Sequence, residues 1–264
     1  MRYVTCDIKG PAKENFGLGN QLFCIFTTIA YAKKYNLSAS FPQLENDFFG
    51  NYRSNIFKNL NTEINNIQNL KFIRIVEKGF EFSELEYFEN SDFSVLLDGY
   101  FQSYKYFEKF NDFIVSILNF DDICDNLNIK YPNINNYTSL HVRRGDYVNK
   151  QQFHSLLSNE YYKKALKIVD NKNIAIFSDD IEWCKNNFDF IKNPLFINNS
   201  HDYEDLILMS MCKNNIIANS SFSWWSAWLN KNDNKIVIAP NNWFGPEYYS
   251  MSTKDLIPQE WIRI

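Results

Sequence analysis

Two adjacent arginines and an aspartate, Arg143-Arg144-Gly145-Asp146, stand at the end of the apolar run 137–142. A guanidinium presents a planar fork of donors that matches phosphate bidentately and keeps its charge at any relevant pH, so Arg143 or Arg144 reads as a diphosphate clamp. Side chains of neighbouring residues on an extended backbone point to opposite sides, which leaves Arg144 to pair with Asp146 or to brace the loop. An isolated Arg-Arg pair in a loop is more often solvated surface. The whole chain carries a net charge of −4, which argues against a nucleic-acid partner, whose footprint is a basic excess. Whatever anion the arginines serve is therefore bound locally.

Other groups of the same kind recur at the ends of apolar runs. Ser220, Ser221 and Ser223 lie between the run 214–219 and an aromatic-rich helical segment at 223–230. Backbone N–H groups at a helix start converge with hydroxyls on an anion, and the same serines serve as helix caps. Asp179 and Asp180 follow the run 174–177, and either can cap a helix starting near 181. Gly17 and Gly19 precede a helical segment at 20–35 and let backbone approach a ligand or take positive φ, with Asn20 and Gln21 as amide donors. The third glycine and the distant acid of a dinucleotide fingerprint are missing. Candidate proton acceptors are His154, Asp146, Asp7 and Glu14. His141, on a strand, is either structural or close to the ligand, and Trp224, Trp225 and Trp228 read as core.

The elements that must position these groups are clearest in the second half. Short apolar runs at 137–142, 173–178, 194–198, 214–219 and 235–239 alternate with helical segments at 161–169, 182–187, 203–212 and 223–230. Runs such as Ile174-Ala175-Ile176-Phe177 do not alternate with polar residues, which predicts strands buried on both faces of a parallel sheet. A doubly wound α/β domain follows, with its ligand beyond the carboxyl ends of the strands, where Arg143, Asp179 and Ser220 fall. The first half predicts a strand at 2–8, a glycine loop, the helix at 20–35, strands at 71–76 and 93–98, and a helix over 103–119. Asn-rich stretches at 59–69 and 126–136 read as loops or a linker, with 121–136 as the domain junction. The architecture expected is α/β, two Rossmann-like domains facing a cleft, over residues 1–130 and 131–264.

A chain of 264 residues with 45% hydrophobic content is long enough for one large core or two small ones. Its five cysteines are odd in number and lack any Cys-x-x-Cys pair, so neither a disulfide framework nor a zinc site is expected. No run reaches the roughly 18 apolar residues of a membrane span, and the amino terminus starts on a strand. The expected location is cytoplasmic, with room for peripheral association at the inner face of the membrane.

Four motifs, in order, carry a resemblance: residues 17–23, Gly-Leu-Gly-Asn-Gln-Leu-Phe; 141–147, His-Val-Arg-Arg-Gly-Asp-Tyr; 177–180, Phe-Ser-Asp-Asp; and 219–229, which holds Ser220-Ser221-Phe222-Ser223. Together they resemble the galactoside α1,2-fucosyltransferases, glycosyltransferase family 11, over roughly residues 15–245. The resemblance implies a compact glycosyltransferase B fold with a trimmed first domain, GDP-fucose as donor substrate, a galactose-containing glycan as acceptor, and inverting transfer of L-fucose to O2. It implies that Arg143 contacts the β-phosphate, that Asp179 accepts from guanine N1 and N2, and that His141, Ser220, Ser221, Phe222 and Ser223 line the donor. Gly17, Gly19, Asn20 and Gln21 would face the diphosphate and fucose. Arg143, Asp146 and His154 are the expected catalytic residues. No Asp-x-Asp triplet is present, Asp179-Asp180 being the nearest substitute, so neither a metal nor a further cofactor is assigned. Asn214 replaces a histidine usual in the family, which raises the prospect of altered acceptor choice. The acceptor surface is expected from loops at 41–57 and 77–103, with 99–103 as an aromatic platform.

Overall fold

The computed structural model describes residues 2–8, 17–45, 52–65, 67–89, 92–170, 172–199 and 201–264. They form two α/β units, Met1–Phe120 with Ser252–Ile257, and Asp121–Met251 with Pro258–Ile264. The division after Phe120 differs from the one expected after residue 130, and the Asn-rich stretch explains why. Residues Phe120–Lys130 form a helix, α3, rather than the start of a linker. Ile123 and Leu127 are buried on one face of it, and at its end Lys130 and Tyr131 donate to Asn199 Oδ1 at 2.6 and 2.9 Å. Those contacts bind α3 to the second unit.

The first unit holds strands β1 (Tyr3–Cys6), β2 (Ser38–Ala39), β3 (Phe72–Val76) and β4 (Ser94–Asp98) in a parallel sheet of order β2-β1-β4-β3. Val4 faces Val95 and Cys6 faces Leu97 in register. Helix α1 (Leu18–Tyr35) is apolar on nearly all sides, as a helix enclosed by its own unit must be. It starts at Gly17, whose φ of −60 is ordinary, and stops at Asn36, whose φ of 54 is left-handed and sends its N–H to Ala32 O. The helix expected over 103–119 is broken. Two 3-10 turns at Tyr104–Tyr106 and Glu108–Phe110 precede a short α2 (Asn111–Ile117). Phe107, between the turns at φ −132, is fully buried with its ring 5.4 Å from that of Phe26. Packing of that ring overrides helix propensity there.

The second unit contains β5 (Thr138–Val142), α4 (Asn159–Val169), β6 (Ile174–Ser178), α5 (Ile181–Asn187), β7 (Leu195–Phe196), α6 (Asp202–Ser210), β8 (Asn214–Ile216), α7 (Ser221–Leu229), β9 (Val237–Ala239) and β10 (Ile262–Arg263). All pairings are parallel, and the order is β10-β9-β8-β5-β6-β7. Counted from β5, this is the doubly wound order 3-2-1-4-5-6, in which the winding reverses between β5 and β8. Ligands bind such sheets in the crevice outside the carboxyl ends at that reversal. Leu140, Val142, Ile174, Ile176, Ile216 and Ile238 fill the core with Tyr162 and Ala165 from α4.

The amino ends of the same strands are closed by amides. Asn214 donates to Thr138 Oγ1 at 3.3 Å and accepts from Ile236 N at 2.9 Å, while Asn215 donates to Ser139 Oγ and Met209 O, both at 2.8 Å. Each is buried, and an amide left unsatisfied in such a place costs about 1–3 kcal/mol. Asn214 thus sits at the end of the sheet opposite the carboxyl ends, where its amide joins β5 and the residue before β9. All five cysteines are free thiols, four of them buried. Among the described residues no helix is long and apolar enough to cross a membrane.

Candidate active site

Arg143 is the first residue beyond β5, at the point where the sheet order reverses. Its guanidinium bridges two carboxylates: Nη2 meets Asp146 Oδ1 at 2.7 Å and Nη1 meets Asp179 Oδ2 at 2.8 Å. The side chain keeps 35% exposure, so it is neither sealed in the wall nor free in solvent. Its third neighbour is the Tyr147 ring, 5.2 Å from the guanidinium carbon. Surface ion pairs contribute about 0–1 kcal/mol each, so two such pairs matter less for stability than for the direction they fix.

Arg144 pairs with Asp180 and not with Asp146, which Arg143 holds. Its Nε donates to Asp180 Oδ2 at 3.1 Å and its guanidinium lies 3.9 Å above the Trp183 ring. Asp180, not Asp179, caps α5, accepting from Trp183 N at 3.2 Å. Asp179 is left for the loop: Oδ1 accepts from the backbone N–H of Arg144 at 2.9 Å while Oδ2 faces Arg143. A carboxylate offers about four lone-pair positions, so these two contacts leave acceptor capacity. An added Cβ at Gly145 would lie 2.5 Å from Asp179 Oδ2. Glycine is needed there for close approach, not for an unusual φ.

His141 is buried at the end of β5, its Nδ1 has no hydrogen-bond partner among the described residues, and its ring lies 5.6 Å from Phe222. Burial, then the charge of Arg143, pushes its pKa down to about 3, so the ring is neutral. His154 stacks on Tyr147 at 4.3 Å with the rings 9° apart. Burial lowers its pKa below the ordinary 6.5 despite the opposing pull of Asp146. Asp146 itself is tied to Arg143 and, at 3.7 Å, to Lys150.

The loop after β8 closes the crevice. Ser220 caps α7, accepting from Phe222 N at 3.3 Å. Ser221 opens the helix and is partly exposed. Ser223 differs from the expectation of a ligand contact. It is fully buried, and its hydroxyl accepts from Ala218 N at 3.2 Å, so it braces the loop from below. Trp224 and Trp225 are fully buried core residues. Asn219 fastens the loop through Nδ2 to Ser155 O at 3.0 Å and Trp243 O at 2.9 Å.

One residue of this network was quoted in a motif without being given a role. Tyr147 touches Arg143 and His154 with its ring and donates its buried hydroxyl to Asn219 O at 3.1 Å. It links the β5 and β8 ends, and its signal in the sequence was only an aromatic residue one place after Asp146. Arg143, Asp146, Asp179, His154 and Asn219 are thereby connected through contacts with Tyr147 or with one another, and the His141 ring lies against that of Phe222.

In the first unit, Gly17 has ordinary φ and no described atom within 4 Å of where a Cβ would stand, and Gly19 is buried inside α1. Neither takes the positive φ that the sequence allowed. Asn20, in the first turn of α1, accepts from Gln102 Nε2 at 2.8 Å. Gln21 is fully buried on the core side of that helix. Asp7 follows β1 and its N–H donates to Leu97 O at 2.9 Å, whereas Glu14 lies outside the described residues. Among the described residues no three His, Cys, Asp or Glu side chains converge as metal ligands.

A doubly wound parallel sheet with an arginine and a helix start at its reversal point defines an α/β protein with a candidate anion site at that point. The sequence model of glycosyl transferase family 11 matches residues 12–264, and the chain belongs to that family. It is 38% identical to the O-antigen biosynthesis glycosyltransferase WbnK of Escherichia coli over 64% of this chain and 60% of WbnK. It is 37% identical to an α-1,2-colitosyltransferase of the same organism, over 65% of this chain and 63% of that protein. The matched stretch thus spans under two thirds of both relatives. A galactoside 2-α-L-fucosyltransferase of Caenorhabditis elegans is 24% identical over 94% of this chain and 77% of its own. Among solved structures, the α-1,6-fucosyltransferase NodZ co-crystallized with GDP superposes with a TM-score of 0.54 over 86% of this chain and 92% of NodZ. At 11% identity that likeness concerns the fold.

Proposed function

We propose that the chain transfers L-fucose from GDP-fucose to O2 of a galactoside with inversion, Arg143 taking the part that a divalent cation plays in metal-dependent transferases. The acceptor oxygen forms its bond to the sugar C1 as the bond from C1 to the β-phosphate oxygen breaks, and the bonding electrons leave with GDP. Negative charge grows on that oxygen, and a fixed guanidinium compensates it without reorganising. The observation that carries this reading is Arg143 at the reversal point of the doubly wound sheet, aimed by Asp146 and Asp179. Ser220, Ser221 and the first turn of α7 supply further donors, and Asp179 retains lone pairs for a guanine edge. His154 is the better base for the acceptor proton: its neutral imidazole is available, while Asp146 is committed to two cations.

The test is GDP-fucose with a panel of galactosides in EDTA, followed by linkage analysis. The expected product is an α1,2-fucosylated galactoside, formed without added metal. A second reading, another GDP-sugar as donor, is favoured by the 37% identity to a colitosyltransferase, and competition between GDP-sugars distinguishes the two. We also propose a cytoplasmic setting for the reaction, with peripheral attachment to the inner membrane face compatible with it.

A further inference from the structure

Glu77 follows the last residue of edge strand β3, and its own N–H continues the ladder by donating to Asp98 O at 2.9 Å. Its side chain turns onto the loop that leaves β4. Oε2 accepts the backbone N–H of Tyr100 at 2.7 Å and that of Phe101 at 2.9 Å. The loop is shaped around this contact: an added Cβ at Gly99 would lie 2.3 Å from Glu77 Cβ. Phe101, fully buried, has a φ of +50, which bulky L residues rarely adopt. Such backbone persists only where its surroundings over-determine it. Here they are the Glu77 carboxylate, the Tyr106 ring at 5.6 Å, and the Cys24 thiol, which donates to Gly99 O at 3.3 Å.

The clamped loop ends on groups that suit a sugar. Gln102 follows Phe101 and donates to Asn20 Oδ1 at 2.8 Å, which joins the loop to the first turn of α1. Tyr100 is partly exposed, with its ring 6.0 Å from that of Phe80 and 23° from parallel. β1 and β4 are neighbours in this sheet, with β2 and β3 on their outer sides. The loop after β4 and the start of α1 therefore share the carboxyl edge at this sheet's own reversal point. A glutamine at position 77 would accept an amide N–H without the cost of burying a charge. Strain at Phe101 and a poorly solvated carboxylate at Glu77, on one loop at a ligand-bearing edge, are costs that function explains better than stability does.

We propose that Glu77 is a positioning residue and that the loop it clamps, 99–103, is an acceptor subsite that takes a pyranose ring against Tyr100 with Gln102 hydrogen-bonding its hydroxyls. This rests on the transferase reading above. The charge-assisted bonds from Tyr100 N and Phe101 N fix where that ring surface stands.

Steady-state kinetics and hydrogen exchange on Glu77→Ala and Glu77→Gln, with GDP-fucose and a galactoside, test it. In Glu77→Ala the acceptor KM should rise about tenfold or more while GDP affinity by calorimetry stays within about twofold, and Glu77→Gln should recover part of the loss. Exchange at the Tyr100 and Phe101 amides should quicken about tenfold in Glu77→Ala. An unchanged acceptor KM, or an equal loss of GDP affinity, overturns the subsite. Unchanged exchange at the two amides overturns the clamp even if transfer is lost. A wild-type chain that transfers no sugar contradicts the parent reading instead, and the subsite falls with it, while the exchange result still decides the clamp.

Discussion

A methyl group on Gly145 would stand 2.5 Å from Asp179 Oδ2, closer than real Cβ contacts come. The same carboxylate receives Arg144 N at 2.9 Å and Arg143 Nη1 at 2.8 Å, so the absence of a side chain at 145 is what lets one aspartate aim the arginine loop. Gly145→Ala should displace Asp179 and loosen both contacts. Overpacking of this kind costs about 1–3 kcal/mol, and GDP affinity measured by calorimetry should fall about tenfold or more, since each 1.4 kcal/mol is a factor of ten. Undiminished GDP binding in a folded variant would separate Asp179 from the donor.

His154 should be visible in the pH dependence of turnover. Its imidazole titrates below 6.5 because burial disfavours the charged form. A base must be unprotonated, so the wild-type rate should fall as pH drops through that lowered pKa, and His154→Gln should lose this acidic limb along with most of the rate. An identical limb in the variant would shift the role to Asp146 or Asp7.

Glu77 makes a prediction about stability that is independent of turnover. Burial raises its carboxyl from 4.5 to about 7, against the lowering effect of the Phe101 and Tyr100 amides. An acid whose folded pKa is raised binds its proton more tightly when folded, so its stabilising contribution is complete below pH 4.5 and is lost as pH rises through about 7. Cys24 and Tyr106 are the titratable neighbours whose own pKa values feel Glu77, and both are raised, so neither gains charge in this window. Thermal melting of Glu77→Gln should therefore gain on wild type between about pH 5 and about pH 8, by on the order of 2 kcal/mol. A difference that is flat with pH would contradict the burial of that charge.

Asn214 offers a negative control. Its side chain spans Thr138 and Ile236 N at the amino end of the second sheet. Asn214→Ala should lower stability by about 1–3 kcal/mol in denaturant melts and leave the ranking of acceptors as it is in wild type. A changed ranking would mean that the amino end of the sheet communicates with the site.

The parts of the fold that could be read from sequence are those with a period or an unbroken apolar run. Ile174–Phe177 and the run into Arg143 predicted buried parallel strands, and the order found brings their carboxyl ends together at the reversal of the winding. Strands β2 and β10, two residues each, are too short to carry any period. In α3 the apolar spacing of Phe120, Ile123 and Leu127 was present but outweighed by asparagines and aspartates. The placement of Arg143, Asp179 and Ser220 just beyond strand carboxyl ends was legible because each follows closely on an unbroken apolar run. Gly145 against Asp179, Tyr147 against His154 and Glu77 against Tyr100 were not, since each joins side chain to backbone or ring across a loop whose path no local pattern records.

The most direct test of the central claim, that one guanidinium offsets the charge leaving with GDP, is the single-turnover rate of Arg143→Ala with GDP-fucose and a galactoside in EDTA. Loss of one such donor is typically worth about 3–4 kcal/mol, so the expected result is a rate at least about a hundredfold below wild type with wild type itself insensitive to EDTA. A variant that turns over at close to the wild-type rate would contradict the account.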